Sequence, residues 1–363
     1  MAPEHIMITG NMGYVGPAVV RRLRGSRPLA RLSGFDMGLF AHCLTGVLEL
    51  PERLLDVQHF ADLRRIGQPL LRDVDVVVNL AAISNDPMGS AFEEATDAVN
   101  HEAAVRLARL AKEAGVRRYV FASSCSVYGQ TDGAPRRESD PLNPLTAYAR
   151  SKIATEQRLQ ELADDEFVVT CLRFPTACGM SDRLRLDLVL NDFVACAVVS
   201  GRIDILSDGT PWRPLIDTND MALAIDWAAG RPPSSGGPFL AVNVGTAACN
   251  YQIRELAEAV ASQIPGTSVA INPNAAPDKR SYQVDFSLYN ELAPNHLPRI
   301  SLEESISGLH VGLTRMGFAE PNFRESQYVR LKVLSRLQQD GLLDERIEWV
   351  RDPAVNGSAA AVA

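Results

Sequence analysis

Short apolar runs alternate with stretches whose apolar side chains recur every three or four positions. Ile6-Met7-Ile8, Asp75-Val76-Val77-Val78-Asn79-Leu80, Tyr119-Val120-Phe121-Ala122 and Phe167-Val168-Val169-Thr170-Cys171-Leu172 have the length and β-branched content of buried strands. A second strand ends at Gly34-Phe35-Asp36. Residues 100–114 place Ala104, Leu107, Ala108 and Ala111 on one stripe, and Gly115 is a natural helix stop. Residues 17–23 and 146–162 also read as helices. Strands alternating with helices predict a parallel sheet covered on both faces.

After Arg173 the pattern loosens, and Gly, Pro and Asp punctuate shorter elements. Helices are expected at residues 188–199, 221–229 and 253–264, and an amphipathic one at 323–337. Residues 1–175 are read as the sheet domain and 176–355 mainly as a smaller lobe. Parts of 212–262, such as Ala241-Val242-Asn243-Val244, are expected to return to the sheet. Residues 356–363 have no periodicity and read as a flexible tail.

Composition narrows the class. Of 363 residues, 46% are hydrophobic and 22% charged, ordinary for a globular chain and incompatible with wholesale disorder. A net charge of -8 argues against nucleic acid as a partner. No apolar run approaches the roughly 18–20 residues of a membrane span, and the N-terminus lacks a signal-peptide pattern. The six cysteines are scattered without a Cys-x-x-Cys pair, so a zinc site is not expected. They are read as reduced thiols of a cytoplasmic protein.

Candidate chemistry begins directly after the first strand, at Thr9-Gly10-Asn11-Met12-Gly13-Tyr14-Val15-Gly16. Glycines at this spacing let the backbone turn tightly and approach a pyrophosphate seated on a helix N-terminus. Such a turn can be only a turn, but a strand before and a helix after favour dinucleotide binding. Asp36 stands 20 residues after Gly16, at the end of the second strand. That spacing suits the acid that accepts from adenosine ribose hydroxyls. Its carboxylate would repel a 2′-phosphate, and Met37, Gly38 and Leu39 offer no cation. NAD is therefore expected over NADP.

Two further motifs carry a resemblance: Phe121-Ala122-Ser123-Ser124-Cys125-Ser126-Val127-Tyr128-Gly129, and Tyr148-Ala149-Arg150-Ser151-Lys152. With the glycine turn, over residues 5–310, the chain resembles the extended short-chain dehydrogenase/reductases, the nucleotide-sugar epimerases and dehydratases. The resemblance implies an α/β, Rossmann-type doubly wound parallel sheet with a smaller C-terminal substrate lobe. It implies Tyr148 as acid/base, Lys152 on the nicotinamide ribose and tuning Tyr148, and Ser124 on the reacting oxygen. The pair also makes physical sense alone: i and i+4 share a helix face, and an ammonium lowers a nearby phenol's pKa.

By the same resemblance, Gly10, Met12, Gly13, Tyr14, Val15 and Gly16 hold the cofactor. Asp56-Val57 resembles the adenine-touching pair, and Leu80-Ala81-Ala82, Asn100 and Pro175 resemble cofactor neighbours. Arg213, Arg280 and Asn191 match positions near a nucleoside diphosphate, a task suited to the arginine fork. Ser84, Asn85, Cys125, Ser126 and Thr176 complete the expected substrate contacts. A homodimer through the helices 100–114 and 148–162 is expected.

The sequence also departs from the family. Thr176 stands where an Asn is usual. The 4,6-dehydratases carry Asp-Glu where Cys125 and Ser126 stand here, and the 3,5-epimerases carry a cysteine at Ser126. These absences favour an NAD-dependent 4-epimerase of a nucleoside-diphosphate sugar, working through a transient 4-keto sugar. A nucleotide-sugar ketoreductase, dehydratase or decarboxylase is the alternative within enzymes, and an NAD-binding regulator the alternative outside them.

Overall fold

The computed structural model describes residues 3–130, 133–272, 275 and 281–350. Twelve strands are β1 His5–Thr9, β2 Arg31–Asp36, β3 Val57–Phe60, β4 Val76–Asn79, β5 Arg118–Ser124, β6 Val168–Phe174, β7 Thr176–Cys178, β8 Arg202–Ile205, β9 Trp212–Asp217, β10 Phe239–Asn243, β11 Asn250–Gln252 and β12 Ser268–Ile271. The α-helices are α1 Gly16–Ser26, α2 Asp86–Ala91, α3 Glu93–Asp97, α4 Ala104–Glu113, α5 Ala147–Leu162, α6 Val189–Ser200, α7 Thr218–Gly230, α8 Ile253–Gln263, α9 Ser287–Leu292, α10 Leu302–Arg315 and α11 Arg330–Gln339.

Seven strands form one sheet in the order β10-β6-β5-β4-β1-β2-β3. Every neighbouring pair is parallel. Period-two alternation divides the side chains between two cores. Ile6, Ile8, Val76, Val78, Val120 and Leu172 pack with α1 and α7, while Met7, Val77, Tyr119, Phe121, Val169 and Cys171 pack with α4 and α5. This is the doubly wound α/β arrangement expected of strands buried on both faces.

The smaller lobe combines a three-stranded sheet, β11-β9-β7, with the parallel pair β8 and β12. Leu190, Val194, Leu256, Val260, Ile306 and Leu309, from α6, α8 and α10, form its core.

There are two local departures. Residues 98–103 form a π-helical turn before α4, and within it the Asn100 side chain bonds the backbone of Ile83. The expected helix 323–337 splits into a short turn, Phe323–Glu325, and α11. Ser326 breaks it: its hydroxyl donates to Phe323 O and accepts from Tyr328 N, replacing helical bonds. The tail at 356–363 lies outside the described residues.

Candidate active site

A cleft of about 1240 Å³ runs along the C-terminal ends of β1, β2, β4 and β5 into the smaller lobe. It is larger than the roughly 300–1,000 Å³ of a single drug-sized ligand site. Gly10, Gly13, Tyr14, Val15 and Gly16 line one end. Gly10 has φ +73°, and a Cβ there would lie 2.5 Å from the Ala81 amide nitrogen. A Cβ on Gly16 would lie 2.0 Å from Asn11 O. These approaches require glycine. α1 opens at Val15 without a side-chain cap, which leaves its first amides for an anion.

Asp36 closes that end. Its Oδ2 accepts from Met12 N at 3.0 Å and its Oδ1 from Gly38 N at 2.8 Å. Burial pushes its pKa up, while those two amides and Arg183 pull it down. Arg64, beyond β3, is chelated by Asp62. The glycine cradle, uncapped helix and acid fit NAD. Leu80, Ala81, Ala82 and Pro175 continue the wall.

Asp56-Val57 does not line the cleft. Asp56 stands just before β3, at the opposite edge from the strand ends that hold ligands, and pairs with Arg24 at 2.7 Å. Asp62-Leu63, just beyond Phe60 at the end of β3, lines the cleft instead. The signal was the end of the strand rather than its start. Asn100 is fully buried and holds Ile83 through its amide, so it shapes the wall without forming it.

The reaction centre sits where β5 meets α5. Ser124 ends β5 and caps the following turn, its Oγ accepting from Ser126 N at 3.1 Å. Thr146 caps α5 by accepting from Ala149 N. Within the first turn of α5, Tyr148 faces Ser124, whose hydroxyl pulls the phenol pKa down. Burial pushes the Tyr148 phenol up to about 12, against the pull of Ser124 and Arg185. Lys152 donates to Ala122 O at 2.7 Å. Burial lowers its pKa to about 8, while Glu156, one turn further along, favours the charge. Glu156 is paired with Arg173 and accepts from Ser123 Oγ, anchoring α5 to β5 and β6.

The remaining expected substrate contacts separate. Ser84, Asn85, Ser126, Thr176 and Arg213 line the cleft. The buried Ser126 Oγ has no hydrogen-bond partner among the described residues. Cys125 is fully buried away from the cleft, its thiol donating to Arg173 O at 3.1 Å. Asn191 is also fully buried, bonded to Gly179 N, Tyr14 Oη and Arg185 O. Both belong to packing, since no polar atom of either faces the ligand space. Arg280 lies outside the described residues.

Three cleft residues, Arg185, Asp86 and Tyr282, had no role in the sequence reading. Arg185 holds Asp187 with two bonds and donates to Ser84 Oγ at 3.0 Å. Asn85 donates to Asp187 at 2.8 Å from a backbone at φ +135°. Asp86 accepts from Thr146 Oγ1, and its charge acts on Tyr148. Tyr282 closes the far wall. No spacing rule marks Arg185 or Tyr282, which the fold brings in from distant segments. Among the described residues, no cluster suited to a metal ion occurs.

A parallel Rossmann sheet, a glycine cradle with its ribose acid, and a Ser-Tyr-Lys set at one cleft define a nicotinamide-dependent enzyme of the dehydrogenase/reductase type. A family model described as "NAD dependent epimerase/dehydratase family" matches residues 6–245, and the chain belongs to this family. It is 25% identical over 310 residues to a UDP-glucose 4-epimerase of Azospirillum brasilense, covering 76% of this chain and 83% of that one. It is 28% identical over 295 residues to a UDP-glucose 4-epimerase of Bacillus subtilis (strain 168), covering 70% and 80%. Among solved structures it resembles MoeE5 in complex with UDP-glucose and NAD, with TM-score 0.70, 25% identity and coverage of 86% and 99%. The fold is also that of TunA, an NAD-dependent NDP-hexosamine 5,6-dehydratase, with TM-score 0.72, 23% identity and coverage of 86% and 98%.

Proposed function

We propose that this protein is a 4-epimerase of a nucleoside-diphosphate sugar. The observation that carries the reading is the Ser124, Tyr148 and Lys152 set in the cleft, with Cys125 and Ser126 where a dehydratase carries its acids. NAD, when bound, supplies a hydride acceptor and donor. Tyr148 takes the proton from the C4 hydroxyl and later returns it. Ser124 holds the C4 oxygen through the exchange. The 4-keto sugar turns between the two transfers, for which a cleft of about 1240 Å³ leaves room. The two epimerase relatives support this choice.

A second reading, a dehydratase with different acids, is favoured by Asp86. Its carboxylate lies near enough to act on Tyr148. Deuterium separates the two. With the right nucleotide sugar and no added NADH, a 4-epimerase gives two C4 epimers and no deuterium at C3, C4 or C5 in deuterated water. Deuterium at C5 with loss of water is the dehydratase outcome. A strict requirement for added NAD(P)H is that of a ketoreductase, and nucleotide binding without turnover that of a regulator.

A homodimer through α4 and α5 belongs to the same proposal. Its interface would be polar, because Arg106, Arg109, Arg150 and Arg158 lie on the outer faces of these helices. Light scattering at micromolar concentration tests it. All six cysteines are unpaired, which suits the reducing cytoplasm proposed as its setting. No helix among the described residues is long and apolar enough to cross a membrane.

A further inference from the structure

Two arginines, Arg185 and Arg330, line the cleft, and a third, Arg183, is buried beside Arg330. Two are neutralised. Arg183 grips Glu52 with both terminal nitrogens, and Arg185 grips Asp187. Arg330 differs. It is 1% exposed and lines the cleft, yet among the described residues it has no carboxylate in ion-pair range. Its protein partners are neutral. It donates to Gln327 O at 3.1 Å and to Arg183 O at 2.8 Å. Its guanidinium lies 4.7 Å over the Phe40 ring. A buried cation without a counter-ion is costly, and two neighbouring guanidinium groups add repulsion. Burial, with Arg185 and Arg183, pulls its pKa down to about 10 against the opposing pull of Cys43 and of Asp187, whose carboxylate is already held by Arg185.

Position identifies the missing anion. Arg183 acts on Asp36, the acid placed for the adenosine ribose. Arg185 acts on Tyr148, at the reaction centre. Arg330 stacks over Phe40, a cleft residue that follows Asp36 in the chain, and donates to Arg183 O, two residues before cleft-lining Arg185, which puts it on the wall between those two ends. A dinucleotide spanning from Asp36 to Tyr148 carries its two phosphates across that interval. We infer that Arg330, delivered from the C-terminal segment, is a phosphate-binding cation of the dinucleotide site, opposite the glycine turn. The matched family model ends at residue 245, well before it.

The segment is fastened over the cofactor end. Trp349 Nε1 donates to Met37 O at 2.9 Å, next to Asp36. Arg64 donates to Arg346 O and Ile347 O. Ile347 is buried in a cluster with Leu39, Phe40, Leu334 and Leu343. Val329 and Ile347 line the cleft beside Arg330. The C-terminal residues thus hold Arg330 in a fixed place.

The inference rests on NAD occupying this cleft, and the test separates the two. Full-length protein freed of nucleotide is titrated calorimetrically with NAD, ADP and adenosine, as wild type, Arg330→Met and Arg330→Lys. A charge-assisted hydrogen bond is worth about 1.5–3 kcal/mol, or roughly 10- to 150-fold in affinity. Arg330→Met is expected to weaken NAD and ADP by at least about 10-fold and to leave adenosine within about twofold. Arg330→Lys keeps the charge but not the planar fork, so its loss is intermediate. If the Met variant does not fold, the Lys variant decides: weaker ADP with unchanged adenosine supports the assignment. Equal losses for all three ligands, or none, would assign Arg330 to packing alone and overturn the inference while leaving NAD in the cleft. Wild-type protein that binds no NAD would overturn both.

Discussion

The Lys152 ammonium lies 5.5 Å from the centroid of the Tyr148 ring and donates to the Ala122 carbonyl. The sequence reading had this ammonium lowering the phenol pKa. Burial dominates instead, and Tyr148 stands at about 12.

Tyr148→Phe keeps the ring and removes the proton-transfer group. Turnover is expected to fall by roughly 100-fold or more. NAD affinity measured by calorimetry should stay within a few-fold, because the glycine turn and Asp36 are untouched.

Lys152 gives a pH signature in stability. Its pKa is about 8 in the fold against an ordinary 10.5. Below pH 8 the lysine is protonated in both folded and unfolded chains, and the cost of burying the charge is fully present. Between 8 and 10.5 the unfolded chain binds more protons, so this group makes the fold more stable as pH rises. Denaturant unfolding at pH 7.5, 8.5 and 9.5 should show wild type gaining on Lys152→Met. A constant gap would mean that burial leaves the lysine pKa unshifted. The window stops short of pH 10, above which retained protonation of Tyr148 acts in the opposite sense.

Asp36 ties the glycine turn to β2 through Met12 N, and in the proposed NAD site its charge would disfavour the 2′-phosphate of NADP. Asp36→Ala should raise the NAD dissociation constant about 10-fold, as for loss of a charge-assisted hydrogen bond. The preference for NAD over NADP should narrow at the same time. An unchanged ratio of the two dissociation constants would place discrimination elsewhere.

Gly89 of α2 packs against Tyr148, the proposed proton-transfer residue. An added Cβ would lie 3.1 Å from Tyr148 Cβ and 3.2 Å from its amide nitrogen. Gly89→Ala should displace Tyr148 by a few tenths of an ångström, with kcat down roughly 3- to 10-fold. Stopped-flow NAD binding should be unaffected. Full kcat would mean that α2 yields and α5 does not.

Much of this was legible in the chain because it is local. The glycine turn, Asp36, Ser124 and the Tyr148–Lys152 pair each lie at a strand end or on one helix face, where spacing alone fixes direction. Fully buried runs likewise marked β4 and β6. What was not legible comes from long-range closure. Asp56-Val57 was matched by residue type, but it precedes β3, and it is strand length, not motif, that decides which acid reaches the cleft. Asn191 and Asn100 have the polarity of ligand contacts, but tertiary packing took up every donor and acceptor. Arg185, Tyr282 and Arg330 reach the cleft from segments with no periodicity relating them to it.

Tyr148, Lys152 and Glu156 occupy successive turns of a single stripe on α5, and the last is locked to Arg173 of β6. If α5 rolls, proton donor, cation and anchor move as one body, so their mutual spacing is preserved. What changes is the seam between that body and Ser124, which belongs to a different element. The spacing of Ser124 to Tyr148 is therefore the one that depends on how α5 seats on β5, through Lys152 on Ala122 O and Glu156 on Ser123 Oγ, so drift in function should accumulate among residues wedged into the α5–β5 seam before it touches the stripe.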